Sequence, residues 1–216
     1  MKDIRKGPEP PSLTRHRNAG GDFDDAGPWK ADLQRALLRD QGEICCYCMR
    51  EIDARSMKIE HLRPQQQHPS LRLNYRNLLA ACTGSERSPS HDGEDCRHCD
   101  SRKGSRPLSI DPVAGIERRV AYRFAEGRIT SDDPAIDREL DEVLGLNVLQ
   151  LQQARRAVIL GLRERLGKKY PSGPWKRSAL ERELARWSER DGQRLRPFCQ
   201  VAVEFLRAKI RRSQRP

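Results

Sequence analysis

Apolar residues recur at helical spacing in several stretches of this chain, separated by segments where polar residues, Pro and Gly dominate. Residues 1–27 are rich in Pro, Gly, Asp and Arg and show no period, which predicts a flexible, extended or partly ordered arm. Pro28 stands at a favoured first-turn position and opens a short predicted helix, with Leu33, Ala36 and Leu37 on one face and Gly42 near its end. Ile44 to Ile52 reads as a cysteine knuckle joined to a short strand. Lys58 to Pro64 reads as a second strand running into a loop, and Gln65 to Arg72 as a polar loop. A new ordered element begins at Asn77 and runs to Cys82, and a Ser/Gly/Asp-rich insertion follows from Thr83 to Asp95. Cys99 to Gly104 has the form of one helical turn ending at a glycine.

Beyond Pro107 the pattern becomes mainly helical. Tyr122 to Ile129 predicts a hairpin-like turn around Glu126-Gly127. Asp133-Pro134 caps a stripe of Ile136, Leu140, Val143 and Leu144. Asn147 is the predicted cap of a longer helix carrying Leu151, Ala154, Val158, Leu162 and Leu166, which a loop from Lys168 to Pro174 ends. Two further helices carry Leu180, Leu184 and Trp187, then Phe198, Val201, Ala202, Phe205 and Ile210, before a basic tail at 211–215. The pattern predicts an α+β chain in three parts: an arm (1–27), a compact core (28–106) and a helical domain (107–216).

Composition narrows the function classes. The longest apolar run is far short of a membrane span, and the first residues lack the apolar centre of a secretory signal, so a cytoplasmic protein is expected. Net charge is +11, from 42 Lys and Arg against 31 Asp and Glu, which favours polyanions such as nucleic acid as partners.

Six of the seven cysteines fall between Cys45 and Cys99 and include two Cys-x-x-Cys pairs, Cys45/Cys48 and Cys96/Cys99. Without an export signal, that spacing favours zinc over disulfides. Cys45, Cys48 and Cys99 are candidate tetrahedral ligands. The fourth is Cys82 or Cys96, the latter by completing a second local knuckle. Cys199 lies alone in a helical pattern and reads as a core residue. His16, His68, His91 and His98 read as solvated, with His98 also a candidate to support the cysteine ligands from behind or to be an alternative ligand, and Trp175 and Trp187 as core or interface.

Four pieces arrive in order: Cys45-x-x-Cys48, Glu60-His61 with Pro64, Asn77-Leu78 with Cys82, and Cys99-Asp100-x-x-Lys103-Gly104. In this order they resemble the four-cysteine branch of the HNH endonuclease superfamily, the ββα-metal nucleases, over about residues 43–105. A closer resemblance is to the HNH component of Septu and retron-associated phage-defence systems, which also carries a helical C-terminal extension. The family usually has Asn or His where Asp100 stands, and its Septu-like members often have a His near the position of Ser101.

The resemblance implies a small zinc-bound ββα-metal core, with Cys82 favoured over Cys96 as the fourth zinc ligand, and hydrolysis of phosphodiester bonds. His61 would be the general base, since its ordinary pKa lies near neutrality. Glu60 and Asp100 would be oxygen ligands to a catalytic Mg²⁺ or Mn²⁺, and Asn77 an orienting residue bonded across the loop. In a regular strand Glu60 and His61 point to opposite sides, so a distorted strand end is needed to bring both to one site. Arg102 and Lys103 are candidate phosphate contacts, Lys103 equally a helix-end charge. The resemblance further implies an ATPase partner of the ABC/SMC kind docking on the helical domain. The alternatives are a non-catalytic zinc module that binds nucleic acid and an adaptor. DNA and RNA remain equal as substrates.

Overall fold

The computed structural model describes residues 1–86, 90–91, 93–171 and 175–213. Parts of the Thr83–Asp95 insertion, of the Lys168–Pro174 loop and of the basic tail lie outside the described residues.

The first 27 residues, read from the sequence as a flexible, extended or partly ordered arm, contain ordered structure. They carry helix α1 (Pro11–Asn18) and bury Met1, Ile4 and Leu13. The apolar residues are too few and too scattered to make a period, and polar anchors do much of the work. Lys6 Nζ donates to the Leu78 carbonyl at 2.8 Å, the Gly7 amide donates to Asp40 Oδ2 at 2.8 Å, and Asp3 and Glu117 exchange backbone-to-carboxylate bonds of 3.0 Å.

Helix α2 (Trp29–Gln41) follows Pro28 and buries Leu33, Ala36 and Leu37, as their spacing predicts. It stops at Gly42, whose φ of 68° is left-handed and favours glycine. Strands β1 (Met57–His61) and β2 (Leu78–Cys82) form an antiparallel pair in which Glu60 faces Leu79 and His61 faces Leu78. Every residue of β2 is buried, so its outer edge needs partners other than water. The buried Gln41 amide supplies them: Ala80 N donates to Gln41 Oε1 at 2.7 Å, and Gln41 Nε2 donates to Ala80 O at 2.8 Å. A short ribbon of β3 (Ser90–His91) and β4 (Glu94–Asp95) leads to helix α3 (Asp100–Lys103), a single turn.

Strands β5 (Ala121–Arg123) and β6 (Arg128–Thr130) form the hairpin around Gly127. Helix α4 (Pro134–Arg138) starts at Asp133, whose carboxylate accepts from the amides of Ala135 and Ile136, and continues into a wider π turn at Glu139–Val143. Asn147 does not cap the long helix α5 (Leu149–Lys169). It is buried and satisfies Ile129 from both sides, accepting from its amide at 3.0 Å and donating to its carbonyl at 3.1 Å. Arg155, also buried, bonds the carbonyls of Gly127 and Leu146 and thereby ties the hairpin to α5. Helices α6 (Arg177–Ser188) and α7 (Cys199–Arg212) complete the chain, with Cys199 in the core as expected.

Among the described residues the buried apolar side chains form one cluster reaching from Met1 to Leu206. The knuckle is fixed to the C-terminal half by backbone bonds from Phe198 N to Met49 O and from Cys99 N to Leu144 O. No helix of the described residues is long and apolar enough to cross a membrane.

Candidate metal centre and active site

Cys45 and Cys48 come from the knuckle after α2, Cys82 from the end of β2 and Cys99 from the residue before α3. All four are buried, and their sulfurs lie within 4.8 Å of one another. Cys45 and Cys99 Sγ are 3.8 Å apart, and Cys48 and Cys82 Sγ 3.7 Å. A disulfide needs about 2.05 Å. A tetrahedron of thiolates about 2.3 Å from a central zinc has edges of about 3.8 Å, so the four sulfurs fit that ion closely.

Two amides also point at the sulfurs, Cys82 N to Cys45 Sγ at 3.3 Å and Arg50 N to Cys48 Sγ at 3.5 Å. Such donors favour thiolates. Burial opposes the ionisation of Cys45, but hydrogen bonds from the neighbouring cysteines outweigh it and hold this thiol well below its ordinary pKa, whereas burial pushes Cys99 up. Four contiguous thiols cannot all ionise without a cation. Met49 and Cys99 both adopt positive φ, 65° and 57°, a strained conformation for non-glycine residues that persists where the surroundings over-determine it.

Of the two candidates for the fourth position, Cys82 lies in the cluster and Cys96 lies outside it. Cys96 is partly exposed, and its carbonyl accepts from Gln150 Nε2 at 3.0 Å. His98, expected to be solvated, is instead completely buried, with Nδ1 3.2 Å from Cys99 Sγ and 3.8 Å from Cys82 Sγ. It is placed to donate to a zinc-bound thiolate. Gly84 makes room for this turn, because a β-carbon there would fall 1.9 Å from the His98 carbonyl. His16 is likewise not free: its ring stacks on Trp29 at 4.5 Å, and Nε2 bonds the Asp22 carbonyl.

The end of β1 carries Glu60 and His61 to one wall of a cavity of about 230 Å³, which Phe23, Asp100 and Lys103 also line. His61 Nε2 lies 3.0 Å from the Arg72 carbonyl. A carbonyl only accepts, so the proton is on Nε2 and the Nδ1 lone pair is the basic atom. Burial lowers the His61 pKa, keeping the ring neutral. Asn77 is buried between β2 and the loop after β1. Its Oδ1 accepts from Arg63 N at 2.7 Å, and its Nδ2 donates to the carbonyls of Arg63 and Leu71 at 3.1 and 3.2 Å. It therefore pins the loop whose far end holds His61.

Glu60 is almost wholly buried, and its Oε1 accepts from Tyr47 OH and Lys103 Nζ, each at 2.7 Å. Burial, then contact with Asp100, pushes its pKa up to about 8 against the opposing pull of Lys103. Two carboxyls pressed together in this way repel one another when both are ionised, which a cation relieves. Together with waters and a phosphate they fit a hard divalent cation, which seldom has more than one or two protein carboxylates. Asp100 is also 3.3 Å from Lys58 Nζ.

Neither basic residue expected at phosphate faces it freely. Lys103 is buried against Glu60 and donates to the His61 carbonyl at 2.9 Å, and Arg102 bonds the carbonyls of Asp95 and Glu142. A long-range partner, invisible in the spacing, buries the Lys103 ammonium. Replacing Lys103 with Met leaves Glu60 buried without its cation. Loss of one member of a buried pair costs about 3–5 kcal/mol. Glu60 escapes part of that cost by holding a proton. A carboxyl whose folded pKa lies above its unfolded value loses its contribution as pH rises from about 4.5 through about 8. Urea unfolding without added Mg²⁺ should show a larger deficit for Lys103→Met at pH 8 than at pH 5, and a deficit independent of pH would refute the pairing.

Comparison with known proteins supplies one relative. The chain is similar to the Septu protein PtuB of Bacillus thuringiensis. Identity is 29% over 86 residues, covering 39% of this chain. The match spans only 28% of that relative's own length. No protein-family model matches the chain.

Proposed function

We propose that the chain is a metal-dependent endonuclease of the HNH type, serving as the effector of a Septu-like anti-phage defence system beside an ATPase partner. The observation that carries this reading is the convergence of His61, Glu60 and Asp100 on one cavity in a chain that also gathers a four-cysteine cluster. The likeness to a Septu protein supports the defence setting.

In this reading Cys45, Cys48, Cys82 and Cys99 hold a structural zinc, and Glu60 and Asp100 hold Mg²⁺ or Mn²⁺. Bound by Glu60 and Asp100, such a hard cation would supply neutralisation of the charge that develops on a scissile phosphate. His61 Nδ1 takes a proton from the attacking water while Nε2–H stays on Arg72. Asn77 fixes the loop that presents the Arg72 carbonyl to Nε2. Lys103 orients Glu60 and lends its charge to the cavity from beneath, without touching substrate.

The alternative is a zinc module that binds nucleic acid without cutting it. The ion pair of Glu60 with Lys103 favours it, because the carboxylate then has a counter-ion already. Labelled plasmid DNA and total RNA, incubated with the purified chain and Mg²⁺ or Mn²⁺, with and without the partner ATPase, separate the two. The nuclease reading expects cleavage that needs the divalent ion and increases with the partner. Salt-sensitive binding with no cleavage under any of these conditions would favour the module.

A further inference from the structure

The segment from Gly20 to Gly27 has no regular structure, yet it places Phe23 in the wall of the His61 cavity. The Phe23 and His61 rings lie 4.4 Å apart at 75°, an edge-to-face contact. We propose that this segment belongs to the catalytic apparatus, with Phe23 as a positioning residue that locks the His61 ring over the cavity.

A single hydrogen bond, Nε2 to the Arg72 carbonyl, leaves the imidazole free to swing, because the outer torsion of a histidine is broad. Phe23 removes that freedom by packing against the ring at 4.4 Å. Phe23 is itself braced, with Trp29 edge-on at 6.1 Å and Lys30 Nζ 5.3 Å from its ring centre. Its two neighbours close the device. Asp22 and Asp24 both pair with Arg72, at 2.6 and 3.3 Å, so that Arg72 holds the strap through its guanidinium and the histidine through its carbonyl. His16 bonds the Asp22 carbonyl at 2.8 Å and anchors the strap to α1. One arginine thus couples the strap to the base, and a shift of the strap reaches His61 through two independent contacts.

This inference rests on His61 as the base, so its test reads the ring directly as well as the reaction. Long-range ¹H–¹⁵N NMR of the full chain at about pH 8, where imidazole is neutral, reports the His61 tautomer, with His61→Gln assigning the signals. The native chain should show one tautomer with the proton on Nε2. In Phe23→Ala the two tautomers should average, and Phe23→Tyr should restore the single form. In cleavage, Phe23→Ala should lower kcat on the order of 10- to 100-fold with KM little changed. Asp22→Asn, which loosens the clasp at the surface, should move both readouts the same way to a smaller extent and keeps the question open to test if Phe23→Ala fails to fold. An unchanged tautomer in folded Phe23→Ala or in Asp22→Asn overturns the proposal. So does a rise in KM with kcat intact, which would make Phe23 a substrate contact. A chain that cleaves nothing leaves the NMR result to decide on Phe23, while the nuclease reading falls separately.

Discussion

Cys82→Ser should release the structural zinc and abolish cooperative unfolding of the core, while Cys96→Ser should keep both. The contrast follows from geometry, since Cys82 shares the 4.8 Å cluster with Cys45, Cys48 and Cys99 and Cys96 does not. The magnitude follows from what the zinc links. The four cysteines that would hold it come from the knuckle, the end of β2 and the start of α3, and the same segments position Glu60, His61 and Asp100. Structural zinc contributes on the order of 10–16 kcal/mol of apparent binding energy. Whole domains are stable by about 5–15 kcal/mol. Losing one thiolate of four therefore consumes much or all of the stability of the core. Zinc per chain by elemental mass spectrometry, with thermal unfolding followed by circular dichroism, checks it. Zinc retained in Cys82→Ser and lost in Cys96→Ser would reverse the ligand assignment.

Much of the frame was legible from local pattern. Leu33, Ala36 and Leu37 mark α2, Gly42 its end, and Asp133-Pro134 the start of α4, because each of these signals acts within a few residues. The cysteine cluster was legible to within one ligand. Sequence spacing alone treats Cys82 and Cys96 alike, and only the pairing of β2 with β1 carries Cys82 to the other sulfurs.

What escaped was the set of buried polar groups with distant partners. Gln41 caps the edge of β2, Asn147 satisfies Ile129 instead of a helix, Lys103 neutralises Glu60, and His98 lies against two sulfurs. Each is a polar residue at a position where solvation is the ordinary expectation, and nothing nearby in sequence marks its partner. The N-terminal segment escaped for the same reason. Its order comes from single anchors such as Lys6 and Gly7, which leave no period to detect. Tyr47 and Phe23 carried only a weak signal, an aromatic inside the knuckle and one in an acidic glycine-flanked run, and neither points to Glu60 or His61 without the fold.

The central claim is that His61 is the base of a phosphodiester-cleaving site. A positioned general base contributes about 10²- to 10⁴-fold to rate, and His61 has its proton fixed on Nε2 by Arg72, its Nδ1 free to accept and its neutral form favoured by burial. The direct measurement is metal-dependent cleavage of labelled plasmid DNA and total RNA by the native chain and by His61→Ala, with the proposed ATPase partner present and zinc content matched. The account predicts cleavage by the native chain that falls by at least about 10²-fold in His61→Ala, with the fold and the zinc intact. Equal cleavage by both proteins would contradict it.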